Sequence, residues 1–169
     1  MASLSLKNIC KKYPNGFEAV KDFNLEIADK VAIHINDTHP AIAIPELMRI
    51  LMDEEGMGWD QAWKIVTEVC SYTNHTVMPE ALECWNEDLF SFKLPRIHMI
   101  VKEINRRLCN DLWNIYPGDW DRISKMAIIA YSQVRKANLS VVASHTVNGV
   151  SKLHSEILKK TVFHDFYKA

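Results

Sequence analysis

Glycine is scarce in this chain: five residues in 169, and none is arranged as GxGxxG or GxxxxGK[ST]. A self-contained nucleotide- or phosphate-handling α/β enzyme is expected to carry such a loop, because its backbone N–H groups must approach the phosphate closely. An excess charge of either sign is also missing. The 20 basic and 21 acidic side chains leave a net charge of −1, so there is no electrostatic footprint for nucleic acid. No apolar run reaches membrane-spanning length. The first residues, Met1 to Lys12, have no apolar signal core, so export is not expected. Cys10, Cys70, Cys84 and Cys109 form neither a CxxC pair nor a zinc spacing, which reads as reduced thiols in a cytoplasmic protein.

What is present is ordinary globular material. An apolar fraction of 48% against 24% charged residues argues against disorder, and the length suits one sizeable core. Residues 1–30 read differently from 31–169. Leu4 and Leu6, then Phe23, Leu25 and Ile27, alternate with polar residues as two strands,. Pro14-Asn15-Gly16 between them supplies the positive φ angles of a tight turn, so a β-hairpin is expected. From Leu4 to Ile27 this piece resembles the start of an ABC-transporter ATPase subunit, where an aromatic at the place of Tyr13 stacks on adenine. The resemblance stops before any phosphate loop, and a surface tyrosine on a hairpin is the plainer reading of Tyr13.

From Val31 onward strand and helix patterns alternate. Residues 31–35 form a buried strand candidate, and a helix is expected over 45–54, with Pro45 in its first turn and Gly56 just past its end,. Trp59, Trp63, Val66 and Cys70 share one face of the next helix. A second strand is expected over 71–77, where Tyr72, Thr73, Thr76 and Val77 are β-favouring,. Ile97, Ile100, Val101, Ile104, Leu108 and Leu112 have the spacing of a long amphipathic helix that starts at Pro95,. Pro117-Gly118-Asp119 breaks it before a shorter helix over 120–130. A third strand is expected over 138–144, and Val150, Leu153, Ile157 and Leu158 line a final helix. The order predicts an α/β fold, a parallel sheet with helices on its faces.

The three strand candidates end in similar chemistry: Asp37-Thr38-His39, Asn74-His75-Thr76 and Ser144-His145-Thr146. Parallel strands would bring all three histidines to one sheet edge, where α/β proteins place their ligand crevice. Three readings compete. Each histidine can simply bond a backbone carbonyl. His39, His75 and His145 with Asp37 can form a metal set, although the short local spacing of a zinc motif is missing. Asp37, His39, Asn74, His75, Glu80 and Glu83 also have the composition of a sugar site.

The wording of these segments resembles a known family. Asn36-Asp37-Thr38-His39-Pro40 with Ile44-Pro45-Glu46-Leu47-Met48-Arg49 is similar to a signature stretch of the α-glucan (glycogen or maltodextrin) phosphorylases. So are Tyr72-Thr73-Asn74-His75-Thr76-Val77 with Pro79-Glu80-Ala81-Leu82-Glu83, and Ser144-His145-Thr146-Val147-Asn148-Gly149-Val150. The similarity runs from about Val31 to Phe166, an interior slice of the family's N-terminal domain. Cys84 and His34 depart from the usual pattern. The resemblance implies a partial doubly wound, Rossmann-like sheet of the GT-B type. By position, it implies that His75 bonds a sugar 6-hydroxyl while its backbone carbonyl faces the developing glucosyl cation. It places Asp37, His39 and Glu83 beside the anomeric carbon, Asn74 and Glu80 close by, and Val150 against the sugar. Glu80 orients the loop in this scheme. Helix packing is the plain alternative for Val150.

The family moves a glucosyl unit from an α-1,4-glucan to phosphate with retention, giving α-glucose 1-phosphate, and works as a homodimer. Pyridoxal 5'-phosphate serves as its proton relay, so the resemblance does not cast Asp37 and Glu83 as a glycosidase pair. The cofactor lysine and the phosphate-binding cations of the family have no counterpart in this sequence. Lys152, Lys159 and Lys160 read as solvated helix faces. The expectation is therefore a chimeric fragment that holds no cofactor and is inactive alone, with unpaired sheet edges. The rival from another class is a non-catalytic carbohydrate-binding or interaction module. A nucleotide-binding subunit is the third, opposed by the missing phosphate loop.

Overall fold

A computed structural model describes residues 30–169, together with the backbone of two strands nearer the N-terminus. Those strands, β1 (Ser5–Lys12) and β2 (Glu18–Glu26), pair antiparallel with Leu6 opposite Leu25. Tyr13 and the Pro14-Asn15-Gly16 turn lie outside the described residues.

The central sheet is parallel, in the order β3 (Ile33–Asn36), β4 (Cys70–Asn74), β8 (Thr146–Gly149). Its register places Ile35 beside Tyr72 and Tyr72 beside Val147. Period-two alternation decides which face is dry. Ile35, Cys70 and Tyr72 turn into the core, whereas His34, Asn36 and Ser71 do not. On that second face His34 Nε2 lies 2.8 Å from Thr73 Oγ1, and Thr73 Oγ1 donates to Asn148 Oδ1 at 3.2 Å. The sequence predicts helices on both faces; among the described residues the helices pack on one.

Between β3 and β4 run α1 (Ala43–Arg49), continued by a wider turn over Ile50–Glu54, and α2 (Trp59–Val69). After β4 come β5 (Cys84–Asn86), α3 (Glu87–Lys93), the long α4 (Pro95–Ile115) and α5 (Trp120–Met126). Helix α4 starts at Pro95, whose missing N–H costs nothing in a first turn. It buries Ile97, Ile100, Val101 and Ile104, the stripe that the spacing predicts,. On its outer side Glu103 accepts from Arg106 and Arg107, and Arg107 also reaches Asp60 on α2. The two guanidiniums hold the Glu103 carboxyl down at about 2 from an ordinary 4.5. A carboxylate with a depressed folded-state value stabilises the fold above its unfolded value and loses that contribution as pH falls. The expected result is a loss of stability between about pH 4.5 and 2, with Glu103→Gln giving a shallower slope there in urea titrations run at each pH.

The expected third strand is the main correction. Residues 138–144 are not a strand: helix α6 spans Lys136–Val142, and the third strand of the sheet is β8. A short apolar run has no periodicity that separates a buried strand from a buried helix. Here burial on every side selected the helix, since Lys136 through Ser140 are all buried. Asn138 secures it by donating Nδ2 to the carbonyls of Lys125, Met126 and Ala127, and Ser140 Oγ bonds back to the Lys136 carbonyl. Helix α5 is likewise shorter than predicted. It ends at Met126, and the chain beyond it forms β6 (Ile129–Ala130) and β7 (Gln133–Arg135). These pair antiparallel with β5 in a second small sheet, in the order β5-β7-β6. The chain closes with α7 (Lys152–Lys160) and α8 (His164–Lys168).

Candidate functional site

Strands β3, β4 and β8 run parallel, so their carboxyl ends share one edge. Asp37-Thr38-His39 follows β3, His75 follows β4, and Val150 follows β8. His145 is not among them. It precedes β8, and its N–H bonds the carbonyl of Cys70, the first residue of β4. It therefore sits at the opposite edge, roughly 13 Å away at ~3.3 Å per residue along a four-residue strand. That distance rules out a shared metal set of His39, His75 and His145, and among the described residues no group of three His, Cys, Asp or Glu could hold a metal ion.

The β3 end is held in an unusual backbone. Asp37 has φ of 60°, a left-handed conformation that aspartate tolerates better than most residues. Its N–H extends the ladder to the Thr73 carbonyl at 2.9 Å, and its Oδ1 accepts the Thr38 N–H at 2.7 Å. The chain thus turns sharply across the sheet edge, which directs the side chains of Thr38 and His39 toward residue 83.

Glu83 is the hub of the edge. Its Oε2 accepts from Thr38 Oγ1, and from Lys136 Nζ at 3.0 Å, while His39 Nδ1 stands 3.3 Å away. Thr38 and Lys136 are each only 2% exposed. The Thr38 hydroxyl, followed by Lys136 and His39, holds the Glu83 carboxyl below its ordinary range against the opposing effect of burial. The carboxylate form is thereby secured at neutral pH.

On β4, His75 Nε2 lies 2.6 Å from Asn36 Oδ1. An amide oxygen only accepts, so Nε2 is the donor of this bond. Asn74 corrects an expectation. The resemblance places it beside the sugar, whereas it is fully buried, with Nδ2 on the Tyr72 hydroxyl and Oδ1 on the Thr76 N–H, both at 2.9 Å. Its amide shapes the loop that carries His75. Glu80 is exposed on the short turn Pro79–Ala81. Val150 is 58% exposed, so it is not the helix-packing residue that its spacing also allowed. Its N–H donates to His154 Nδ1 at 3.2 Å, across the entrance to α7.

Sequence reasoning missed Thr38 as a ligand of Glu83, and it missed Lys136 entirely. Lys136 reaches Glu83 because β7 pairs with β5, Arg135 opposite Cys84, which carries the next residue to the neighbouring one. Its own N–H bonds the Glu83 carbonyl at 3.2 Å. Nothing local in the sequence marks that pairing.

Pyridoxal phosphate, which the family resemblance implies, does not fit these residues. Lys136 is the buried lysine among those described, and its Nζ is taken up by Glu83 and by the face of Trp85, 4.6 Å from the ring centre. The sheet edge is made of carboxylates, amides and imidazoles, and the Lys136 ammonium that reaches it is already paired with Glu83.

A parallel α/β sheet that carries Asp, His and Glu at its carboxyl edge has the form in which such folds present polar small-molecule sites. The family model for carbohydrate phosphorylases matches residues 1–169, so the chain belongs to that family. It is 52% identical over 163 residues to a glycogen phosphorylase of Bacillus subtilis (strain 168), covering 96% of this chain and 20% of that protein. It is 53% identical over 143 residues to the muscle form of glycogen phosphorylase from Homo sapiens, and 52% to that from Ovis aries, in each case 83% of this chain and 17% of the relative. The chain therefore spans about a fifth of the length of these relatives, and it is a partial counterpart of a larger enzyme. Among the described residues no helix is long and apolar enough to cross a membrane.

Proposed function

We propose that the crevice edge is one wall of the glucosyl site of an α-1,4-glucan phosphorylase, whose reaction transfers a glucosyl unit from glucan to phosphate. The observation that carries this reading is the meeting of Asp37, His39, His75, Glu83 and Val150 at one sheet edge, in a chain that belongs to the carbohydrate phosphorylases. His75 offers Nδ1 to a sugar hydroxyl, and its backbone carbonyl faces the carbon where positive charge develops. Asp37 and Glu83 add fixed negative charge beside that carbon, which favours an oxocarbenium-like state over the neutral sugar. His39 and Val150 complete the polar and apolar sides of the wall, while Asn74 and Glu80 set the loop.

The family's cofactor, when bound, supplies the proton relay to the attacking phosphate. With no seat for it among the described residues, the isolated chain is proposed to bind glucan without phosphorolysis. Phosphate as co-substrate, a homodimeric parent, a GT-B architecture and a cytoplasmic setting belong to the same proposal. For residues 1–30 the family match competes with the likeness to an ABC ATPase subunit and its hairpin. Titration with ATP, watching Tyr13, separates the two.

The direct test is NMR titration of the chain with maltoheptaose. Shifts centred on Asp37, His75, Glu83 and Val150 are expected, with His75→Ala weakening the affinity about tenfold, the worth of one good hydrogen bond to a polar ligand. Shifts elsewhere, or an unaltered affinity in His75→Ala, would count against the assignment. Binding that survives every edge substitution would favour a carbohydrate-binding module that uses another face.

A further inference from the structure

We propose that Lys136 is a positioning residue: its buried ammonium anchors one oxygen of Glu83 so that the other is presented to a hydroxyl of a polyhydroxylated ligand. The groups around this carboxylate converge on Oε2: Thr38 Oγ1 and Lys136 Nζ donate to it, and His39 Nδ1 stands 3.3 Å from it. Among the described residues none donates to Oε1. A carboxylate held in this one-sided way has lost the freedom to rotate, yet keeps an oxygen with its lone pairs unspent. Thr38 has the largest part in holding this carboxyl, and Lys136 is the member that adds charge to it. Thr38 is neutral and His39 is largely exposed, whereas Lys136 Nζ brings a full charge from inside the fold.

Its own position is set from three sides. The Trp85 ring lies 4.6 Å below Nζ, a cation–π contact that strengthens when water is excluded. The Lys136 N–H is tied to the Glu83 carbonyl, and its carbonyl accepts Ser140 Oγ at 2.9 Å. The lysine therefore follows the Glu83 backbone as well as its side chain, so the ion pair stays in register if β5 and β7 move together. The ring of a sugar fixes where its hydroxyl oxygens lie, while each hydroxyl hydrogen turns toward an acceptor already in place. A freely rotating Glu83 would give up part of the affinity to ordering on binding.

This inference rests on the glucosyl-site reading, and two independent readouts keep their failures apart. The Glu83 carboxyl is followed by carbon-13 NMR as pH is lowered, and maltoheptaose affinity is measured on the same samples, for wild type, Lys136→Met and Lys136→Arg. In Lys136→Met the Glu83 titration is expected to move up by about one pH unit, as for loss of an opposite charge at this distance. The affinity is expected to fall about tenfold with the urea midpoint retained, and Lys136→Arg should restore the low titration. If Lys136→Met does not fold, Lys136→Gln, which keeps a donor without the charge, carries the test. An unmoved titration together with unchanged affinity overturns the proposal and leaves Lys136 a filler of the core. A moved titration with unchanged affinity also overturns it, because the anchoring would then serve no ligand. If wild type binds no maltoheptaose, the glucosyl reading fails, and the titration alone shows whether Lys136 anchors Glu83.

Discussion

Glu83→Ala is expected to destabilise the chain by about 3 kcal/mol, whereas Lys136→Met leaves stability within about 1 kcal/mol of wild type. The asymmetry follows from which partner is buried. Removing Glu83 leaves the Lys136 ammonium 2% exposed and without its carboxylate, and an uncompensated buried charge is among the costliest single changes in a fold. Only the Trp85 face remains near Nζ, and it offers too little to replace an ion pair. Removing Lys136 instead leaves a carboxylate whose side chain is 34% exposed and still bonded by Thr38. Methionine fills the vacated volume without a charge to solvate. Urea unfolding followed by near-ultraviolet circular dichroism measures both. Equal losses in the two variants would show that the pair acts as packing and not as charge.

Gly149→Ala is expected to cost about 1–3 kcal/mol, the range for an overpacked site, and to displace Val150. A Cβ at Gly149 would stand 2.8 Å from His154 Cγ and 3.0 Å from the backbone nitrogen of Ser155. Neither neighbour gives way easily. The His154 ring is buried and its Nδ1 holds the Val150 N–H, while the Ser155 nitrogen belongs to the first turns of α7. Gly149 N–H also donates to Ser155 Oγ at 2.9 Å, so strand end and helix start are tied at two points. The steric load therefore falls on the β8–α7 junction as a unit. Amide chemical shifts of residues 147–155 should move together in the variant, and the unfolding midpoint should drop. A neutral Gly149→Ala would mean that the junction is looser than these distances describe.

Much of the crevice edge could be read from residues alone because its signals are local. Val31-Ala32-Ile33 and Ile35, interrupted by His34, stop at Asn36-Asp37-Thr38, and the β-favouring Tyr72-Thr73 stops at Asn74-His75. A strand that ends abruptly in polar residues needs only its own sequence to be recognised, and the observed strands end at Asn36 and Asn74. The stripe on α4 is legible for the same reason: a period of 3.6 is written into the chain whatever packs on it. Residues 138–144 were misread because Leu139 to Ala143 has no period to reveal, and burial within the fold is what settled it as a helix. The error then propagated to His145. With the strand starting at Thr146 instead of ending at Ser144, that histidine moved to the far edge of the sheet.

Thr38 and Lys136 mark the other boundary of what residues disclose. A threonine after a strand and a lysine before an apolar run are unremarkable where they stand. They became ligands of Glu83 only when residues 45 and 53 positions apart were brought within bonding distance. Local alternation, capping and turn chemistry act over a few residues, so the amino-acid order alone specified the end of β3 and the long helix, whereas β4 stops at Asn74, short of the expected Val77. Which charge came to lie against which depended on strand pairings between distant segments, and those exist only once the core has closed around them.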